Sequence, residues 1–172
     1  MRPAVWRRLN ALRETAGQAY GKLVQKLLAL AFLEAGVGSL VERSTQGIDL
    51  EFQLGGDRFA IEVKTTEAGS IRFGKKDIVA LEARVGDGVR AYVAVLGGRL
   101  LDDWILAQFG PRELASARTY STTELRPYRD ARLEDLITEP FAHAVLAHAA
   151  AAAAGQPALD ALLAEYPEYQ RA

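Results

Sequence analysis

The chain has no cysteine. That excludes a disulfide framework and any thiolate-held metal centre, and it is compatible with a reducing compartment. Histidine is almost as scarce. His143 and His148 are five residues apart, a spacing that does not bring two ligands to one helical face. No uninterrupted apolar run is long enough to span a membrane, and the basic first residues are followed by no hydrophobic stretch of the kind a secretory signal carries. No membrane partner is therefore expected, and a cytoplasmic location is. The sequence has no internal repeat, no phosphate-binding P-loop, no G-x-G-x-x-G and no G-x-S-x-G, which removes the commonest nucleotide-binding and serine-hydrolase patterns. Net charge is −1, too little for a protein that binds polyanions by bulk charge. The charge is uneven, however. Residues 1–90 carry fourteen Lys/Arg against eleven Asp/Glu, and residues 91–172 seven against eleven, so a phosphate-bearing substrate is favoured on the first half. With 172 residues, 49% of them hydrophobic and 25% charged, the chain suits one globular domain with a sizeable core.

The most informative stretch runs from Gly47 to Thr66. Residues 48–54 alternate Ile48, Leu50, Phe52 and Leu54 with Asp49, Glu51 and Gln53; residues 59–65 alternate Phe59, Ile61 and Val63 with Glu62 and Lys64. A period of two marks strands with one buried face, and two such runs around Gly55-Gly56-Asp57 predict a hairpin. A Gly55-Gly56 turn sets Asp49 opposite Glu62; a Gly56-Asp57 turn sets Asp49 opposite Lys64 and Glu51 opposite Glu62. The parity is the same in both, so Asp49, Glu62 and Lys64 share a face in either register. Like charges facing each other destabilise a strand pair. A divalent cation between the carboxylates removes that cost, and Mg²⁺, which takes hard oxygen ligands and keeps several waters, suits the set. A lysine two residues along can hold a water or offset charge on a phosphate. The plain alternative is a solvated strand face with a Glu/Lys pair.

The rest of the chain is read in order. Residues 3–14 predict a short helix entered at Pro3. Trp6, Leu9 and Leu12 lie on one side, with Arg7, Arg8 and Arg13 around them. These arginines are either a basic arm on a nucleic-acid backbone or the solvated side of a packed helix. Thr15 reads as the N-cap of a second helix reaching Ala35 and closed by Gly36. Its apolar face holds Leu23, Val24, Leu27, Leu28, Leu30 and Ala31; Lys22 and Lys26 share a face, within reach of phosphate or simply solvated. Ser39–Arg43 predicts a strand, and residues 44–47 a polar loop. Thr65 and Thr66 lead into a loop with Ser70 and Arg72, and then a helix from Lys75 to Val85 with Ile78, Val79, Leu81 and Val85 as apolar positions. Arg90–Leu96 is apolar almost throughout, which predicts a central strand covered on both faces. Leu100–Phe109 reads as a helix or a strand-to-helix transition, and Pro111–Ala117 as a helical turn. Ser121-Thr122-Thr123-Glu124 has the form of a capped helix start. Tyr120 and Tyr128 interleave with Arg126, Arg129 and Arg132, as in single-strand binders or in a solvated turn with packed rings. Leu133–Ala154 is expected to be helical with a break near Pro140, and Pro157–Tyr166 to be a last helix with a frayed end.

Asp49, a turn, and then Glu62-Val63-Lys64 resemble the core of the PD-(D/E)XK nuclease superfamily. The layout most resembles archaeal Holliday-junction resolvases and their small relatives. The resemblance covers roughly residues 16–96, from the Gly21-containing helix to the strand at Arg90–Leu96. Two positions depart from the pattern: Ile48 stands where the family has Pro before the Asp, and Gln25 where it has a helical Glu. A Gln can hold a metal-bound water but brings no charge.

The resemblance implies a restriction-endonuclease-like α/β fold, a mixed central β-sheet flanked by helices. Residues 1–110 would form that core, and 111–172 an α-helical C-terminal extension packed on the same domain. It implies Mg²⁺, with Mn²⁺ as a substitute, held by Asp49, Glu62 and the Val63 carbonyl. Lys64 would orient the attacking water and stabilise developing charge, Gln25 would orient water from the facing helix, and Glu51 shares the face. Lys22, Lys26, Thr66, Ser70, Arg72, Lys75 and Lys76 are the candidate nucleic-acid contacts. The implied activity is phosphodiester hydrolysis in DNA, with branched DNA the substrate and a homodimer the assembly. The alternative is a catalytically silent nucleic-acid-binding or assembly module of the same fold.

Overall fold

The computed structural model describes residues 1–43, 48–99, 102–110 and 118–172. The loop expected at residues 44–47 and the helical turn at 111–117 lie outside these residues. Helix α1 (Pro3–Ala16) begins at a proline, whose missing N–H falls where the first turn has no partner to offer. Val5, Leu9 and Leu12 are its buried stripe; Trp6 sits at the edge and donates its indole N–H to the Gly98 carbonyl at 3.2 Å. Thr15 does not start the second helix. It lies inside α1, and its hydroxyl donates back to the Ala11 carbonyl at 3.0 Å, the local bond threonine makes within a helix. A single 3-10 turn at Gly17–Ala19 leads into α2 (Tyr20–Glu34).

Every residue from Leu23 to Leu33 on α2 is buried, Gln25 and Lys26 included. The helix is covered all round: the sheet lies on one side, and α5 (Ala131–Ala147) and α7 (Gln156–Leu163) pack on it from the other. Strand β1 (Gly38–Glu42) follows, and then the hairpin of β2 (Leu50–Leu54) and β3 (Asp57–Thr66). Leu50 faces Ile61, Phe52 faces Phe59 and Leu54 faces Asp57, so the turn is Gly55-Gly56. Both glycines have positive φ, +60° and +91°, which a side-chain-bearing residue adopts only with strain.

The sheet has six strands in the order β6-β5-β3-β2-β1-β8, where β5 is Arg90–Gly97, β6 Trp104–Gln108 and β8 Tyr169–Arg171. β3 runs parallel to β5 and β1 parallel to β8; the other neighbours are antiparallel. Alternate residues of β5 enter two cores. Tyr92, Ala94 and Leu96 join the larger one with α1, α2, α5 and α7, while Ala91, Val93 and Val95 join a smaller one. The smaller core lies under α3 (Lys75–Gly86), α4 (Thr122–Leu125) and a ribbon of β4 (Ser70–Arg72) and β7 (Thr119–Ser121). Glu124 and Ser121 form the expected capping box at α4, with reciprocal bonds of 2.7 and 3.2 Å.

Five further sequence expectations change. The described part of residues 100–109 holds a strand, not a helix. Trp104 and Leu106 face the larger core and Ile105 and Ala107 the smaller, so the run is continuously apolar and its period is invisible. Ser70–Arg72, read as loop, is strand β4. α5 runs through Pro140 without ending, because Ile137, Phe141, Ala144 and Val145 are buried on both sides of it; the break comes at His148, before α6 (Ala149–Ala154). The expected frayed end after α7 is strand β8, held on the edge of β1. Val79 is 64% exposed and is no part of the α3 core face. Both cores take residues from each side of position 110.

Candidate active site

β3 outruns β2 by several residues, and the site lies where it does. Asp49 is the residue just before β2. Its backbone N–H donates to the Ile61 carbonyl at 3.0 Å, and its side chain then continues the ladder: Oδ2 accepts the Val63 N–H at 2.9 Å. The carboxylate is thereby fixed at the start of β2, an inner strand of the sheet. Ile48, one residue earlier, joins the smaller core while Leu50 joins the larger, so the alternation read from the sequence breaks at Asp49.

Glu62 and Lys64 project from β3 toward α3. Lys64 Nζ bonds Glu62 Oε1 at 2.6 Å and lies 3.2 Å from Asp77 Oδ2. Asp77 is in the first turn of α3 and also accepts the Gly74 N–H at 3.0 Å, which anchors the helix start. On the other side, Lys22 of α2 reaches Asp49 Oδ1 at 3.1 Å and Gln25 Oε1 at 2.6 Å. Two carboxylates and two ammonium groups therefore meet at the end of the hairpin, with Asp77 behind Lys64.

The electrostatics follow from this crowding. Glu62 is 6% exposed. Burial pushes its carboxyl up from the ordinary range to about 7, the Asp49 charge adds to the rise, and Lys64 opposes it. Burial alone would lower the Lys64 ammonium, but Glu62 and Asp77 outweigh it and the net shift is upward. Lys64 is thus a charged donor at neutral pH, suited to stabilising negative charge rather than to taking a proton.

Among the described residues no group of three or more His, Asp and Glu is arranged to hold a metal ion. Asp49 and Glu62 supply two carboxylates, enough for an ion that keeps most of its waters. The unfavourable charge on Glu62, caused by burial and by Asp49, is the kind a cation relieves. The residues therefore fit such an ion.

The remaining candidates separate clearly. Gln25 is buried, with its amide divided between Lys22 and Glu42 (Nε2 to Oε1, 3.0 Å), one ammonium removed from Asp49. Lys26 is not on a surface that phosphate can reach. It is 1% exposed, and its ammonium lies 2.9 Å from Glu42 and bonds Asp160 as well. Its expected role as a nucleic-acid contact is corrected: α2 is covered on that side by α7 and β8. Glu51 is engaged by Arg43 and Arg84 at 2.9 and 2.6 Å. The Thr66 hydroxyl donates to the Ser70 carbonyl at 2.7 Å and closes the turn between β3 and β4. Arg72, Lys75 and Lys76 are exposed and make no ion pair among the described residues, whereas Tyr120 is packed against Phe73 and Arg129 is paired with Glu134. Asp77 escaped the sequence reading. Its one signal was an acidic residue in the first turn of a helix that follows a glycine.

Among solved structures, the chain is similar to Hjc, a Holliday junction resolvase of the archaeal hyperthermophile Archaeoglobus fulgidus. The TM-score is 0.54 and the identity 19%, over 67% of this chain and 95% of that one. At this identity the likeness is one of fold, and the mixed sheet with helices on both faces is the restriction-endonuclease-like architecture expected from the hairpin. No known family profile matches the chain. No curated protein matches it either. No described helix is long and apolar enough to cross a membrane.

Proposed function

We propose that this protein is a metal-dependent nuclease that hydrolyses phosphodiester bonds in branched DNA. The observation that carries the reading is the convergence of Asp49, Glu62 and Lys64 at the end of one hairpin, in a fold shared with a junction resolvase. Bound Mg²⁺, or Mn²⁺ in its place, would rest on Asp49, Glu62 and the Val63 carbonyl, where it would acidify a water and offset charge on the phosphate. The chain's own residues do the rest. Lys64 holds a fixed positive charge where negative charge develops on the phosphoryl oxygens, and Asp77 keeps it aimed there. Lys22 balances Asp49, and Gln25 holds Lys22 in place. Arg72, Lys75 and Lys76 contact backbone phosphates, which position DNA without reading its sequence. A homodimer supplies two sites for two symmetric cuts, and the cytoplasm is the compartment that goes with this activity.

The test is cleavage of four-way-junction, flap, duplex and single-stranded DNA in Mg²⁺ or Mn²⁺. Wild type is expected to cut branched DNA, and Asp49→Asn to be inactive. Lys64→Ala should lose about 10²–10³ in rate while its DNA affinity stays close to that of wild type. One observation favours the second reading, a binding module without catalysis: each carboxylate already holds a lysine, and among the described residues no third acidic ligand completes the set. A wild type that binds DNA and never cuts it with either metal, and a Lys64→Ala variant that binds alike, would establish that module.

A further inference from the structure

A cleft opens at the carboxyl ends of the parallel strands β3 and β5, just beyond the candidate site. Its volume is about 190 Å³, and Arg13, Tyr20, Thr65, Glu67 and Gly98 line it. Open α/β sheets bind ligands at this end of their parallel strands. None of these five residues belongs to the Asp49–Glu62–Lys64 cluster. The cleft nevertheless starts one residue beyond Lys64, and Thr66, also on its wall, stands a rise of roughly 7 Å from Lys64 along the strand.

Its construction centres on Arg13. The guanidinium is only 23% exposed and is held from below by Asn10 on its own helix. Gly98 ends the strand where Arg13 crosses it: a Cβ there would stand 2.6 Å from the guanidinium and 3.3 Å from the Glu67 backbone, so any side chain would displace the arginine. The Trp6 indole bonds the Gly98 carbonyl and pins α1 to that point. On its open side Arg13 Nε meets one group, the Glu67 carboxylate at 3.0 Å, whose side chain is 70% exposed. The Tyr20 hydroxyl faces the same pair. Burial pushes it up to about 12, with Arg13 and Glu67 acting on it in opposite directions, so it remains a neutral hydroxyl able to donate.

A partly buried arginine capped by an exposed carboxylate is a place where one anion can replace another. We infer that this cleft is a phosphate subsite for the nucleic-acid strand next to the scissile bond, in which a backbone phosphate displaces Glu67 from Arg13. Lys64 points to the α3 side of the sheet and the cleft opens on the α1–α2 side, so a nucleic-acid strand meets both where it crosses the carboxyl ends of β3 and β5. Arg13 then makes a charge-assisted bond to that phosphate, with Tyr20 as the adjoining hydroxyl donor. Glu67 acts as a competitor that weakens binding. This inference rests on the nucleic-acid reading of the main site, and binding without cleavage suffices to test it.

The two variants are expected to move affinity in opposite directions. Junction and duplex DNA binding would be measured by fluorescence anisotropy across a salt series, with Ca²⁺ in place of Mg²⁺. Arg13→Ala should weaken binding about tenfold and lower the slope of log affinity against log salt concentration by about one, the signature of a lost phosphate contact. Glu67→Gln, an exposed change that leaves the core untouched, should tighten binding several-fold. If both variants bind with wild-type affinity and slope, or if Glu67→Gln weakens binding as Arg13→Ala does, the cleft is only a structural ion pair and the inference falls. If wild type binds no DNA at all, the proposed function falls and takes this subsite with it.

Discussion

Glu62 gathers most of what is unusual about this chain at the scale of single residues. It is buried, it stands near a second carboxylate, and its proton is held up to about pH 7. Its folded pKa is raised above the unfolded value of 4.5, so between about pH 4.5 and 7 the folded state binds the extra proton and stability falls as pH rises. Metal-free Glu62→Gln should therefore be more stable than wild type at pH 8, by about 3 kcal/mol, and gain nothing at pH 4. Thermal melts in chelator across that range check it; a constant difference between the two proteins at every pH would show that the carboxyl is not perturbed. Lys26 gives the opposite lesson. Its ammonium is buried among Glu42 and Asp160, and removing one member of a buried pair leaves an uncompensated charge. Lys26→Met should cost about 3–5 kcal/mol in urea unfolding. At low denaturant its DNA affinity and salt slope should equal those of wild type; a reduced slope would return Lys26 to the nucleic-acid interface.

At the scale of elements, the informative piece is β8. A three-residue strand at an edge has little stability of its own, but this one is fastened by side chains. The Tyr169 hydroxyl donates to Glu42 Oε2 at 2.7 Å, Arg171 bonds Asp160 at 2.9 Å, and the Ala172 N–H reaches the Glu42 carbonyl at 2.9 Å. Burial and the Glu42 charge both raise the Tyr169 hydroxyl above its ordinary range, so it stays a donor. Glu42 in turn bonds Gln25, which holds Lys22 against Asp49. The last strand is thus joined to the candidate site through one continuous set of polar contacts. Tyr169→Phe deletes a bond to a charged acceptor and should lose ~1.5–3 kcal/mol. Amide exchange on Leu40–Glu42 should accelerate with it; unchanged protection there would mean that β8 does not hold the edge of β1. β8 also covers β1, whose free N–H and C=O groups would otherwise invite pairing with another chain.

The whole molecule is one sheet between two unequal cores, and the site sits at the ends of its central strands. That placement leaves the far helices free for other contacts. Leu146, on α5, is among the exposed large hydrophobic side chains. A homodimer is the assembly that two symmetric cuts require. Sedimentation at micromolar concentration, with and without junction DNA, is expected to give a dimer. A monomer under both conditions would remove the junction-cutting form of the proposal and leave a single-cut nuclease.

The sequence by itself determined the hairpin and the central strand at Arg90–Leu96. Those signals are local: a period of two, two glycines in a turn, and an unbroken apolar run. The same local signals brought Asp49, Glu62 and Lys64 to notice together, although the alternation breaks at Asp49 and its carboxylate is placed by the bond it accepts from the Val63 N–H. Tertiary structure decided the rest. The Gly55-Gly56 turn is the register in which Phe52 stacks on its partner Phe59 and packs against Phe32. Lys26 looked like Lys22 in sequence, and only the covering of α2 by α7 and β8 made one a buried ion and left the other at the site. Trp104–Gln108 and Tyr169–Arg171 became strands because a sheet edge was there to pair with them. Asp77 and the Arg13–Glu67 cleft join elements far apart in the chain. No spacing rule connects such residues, since their proximity arises only when the sheet and its helices close on one another.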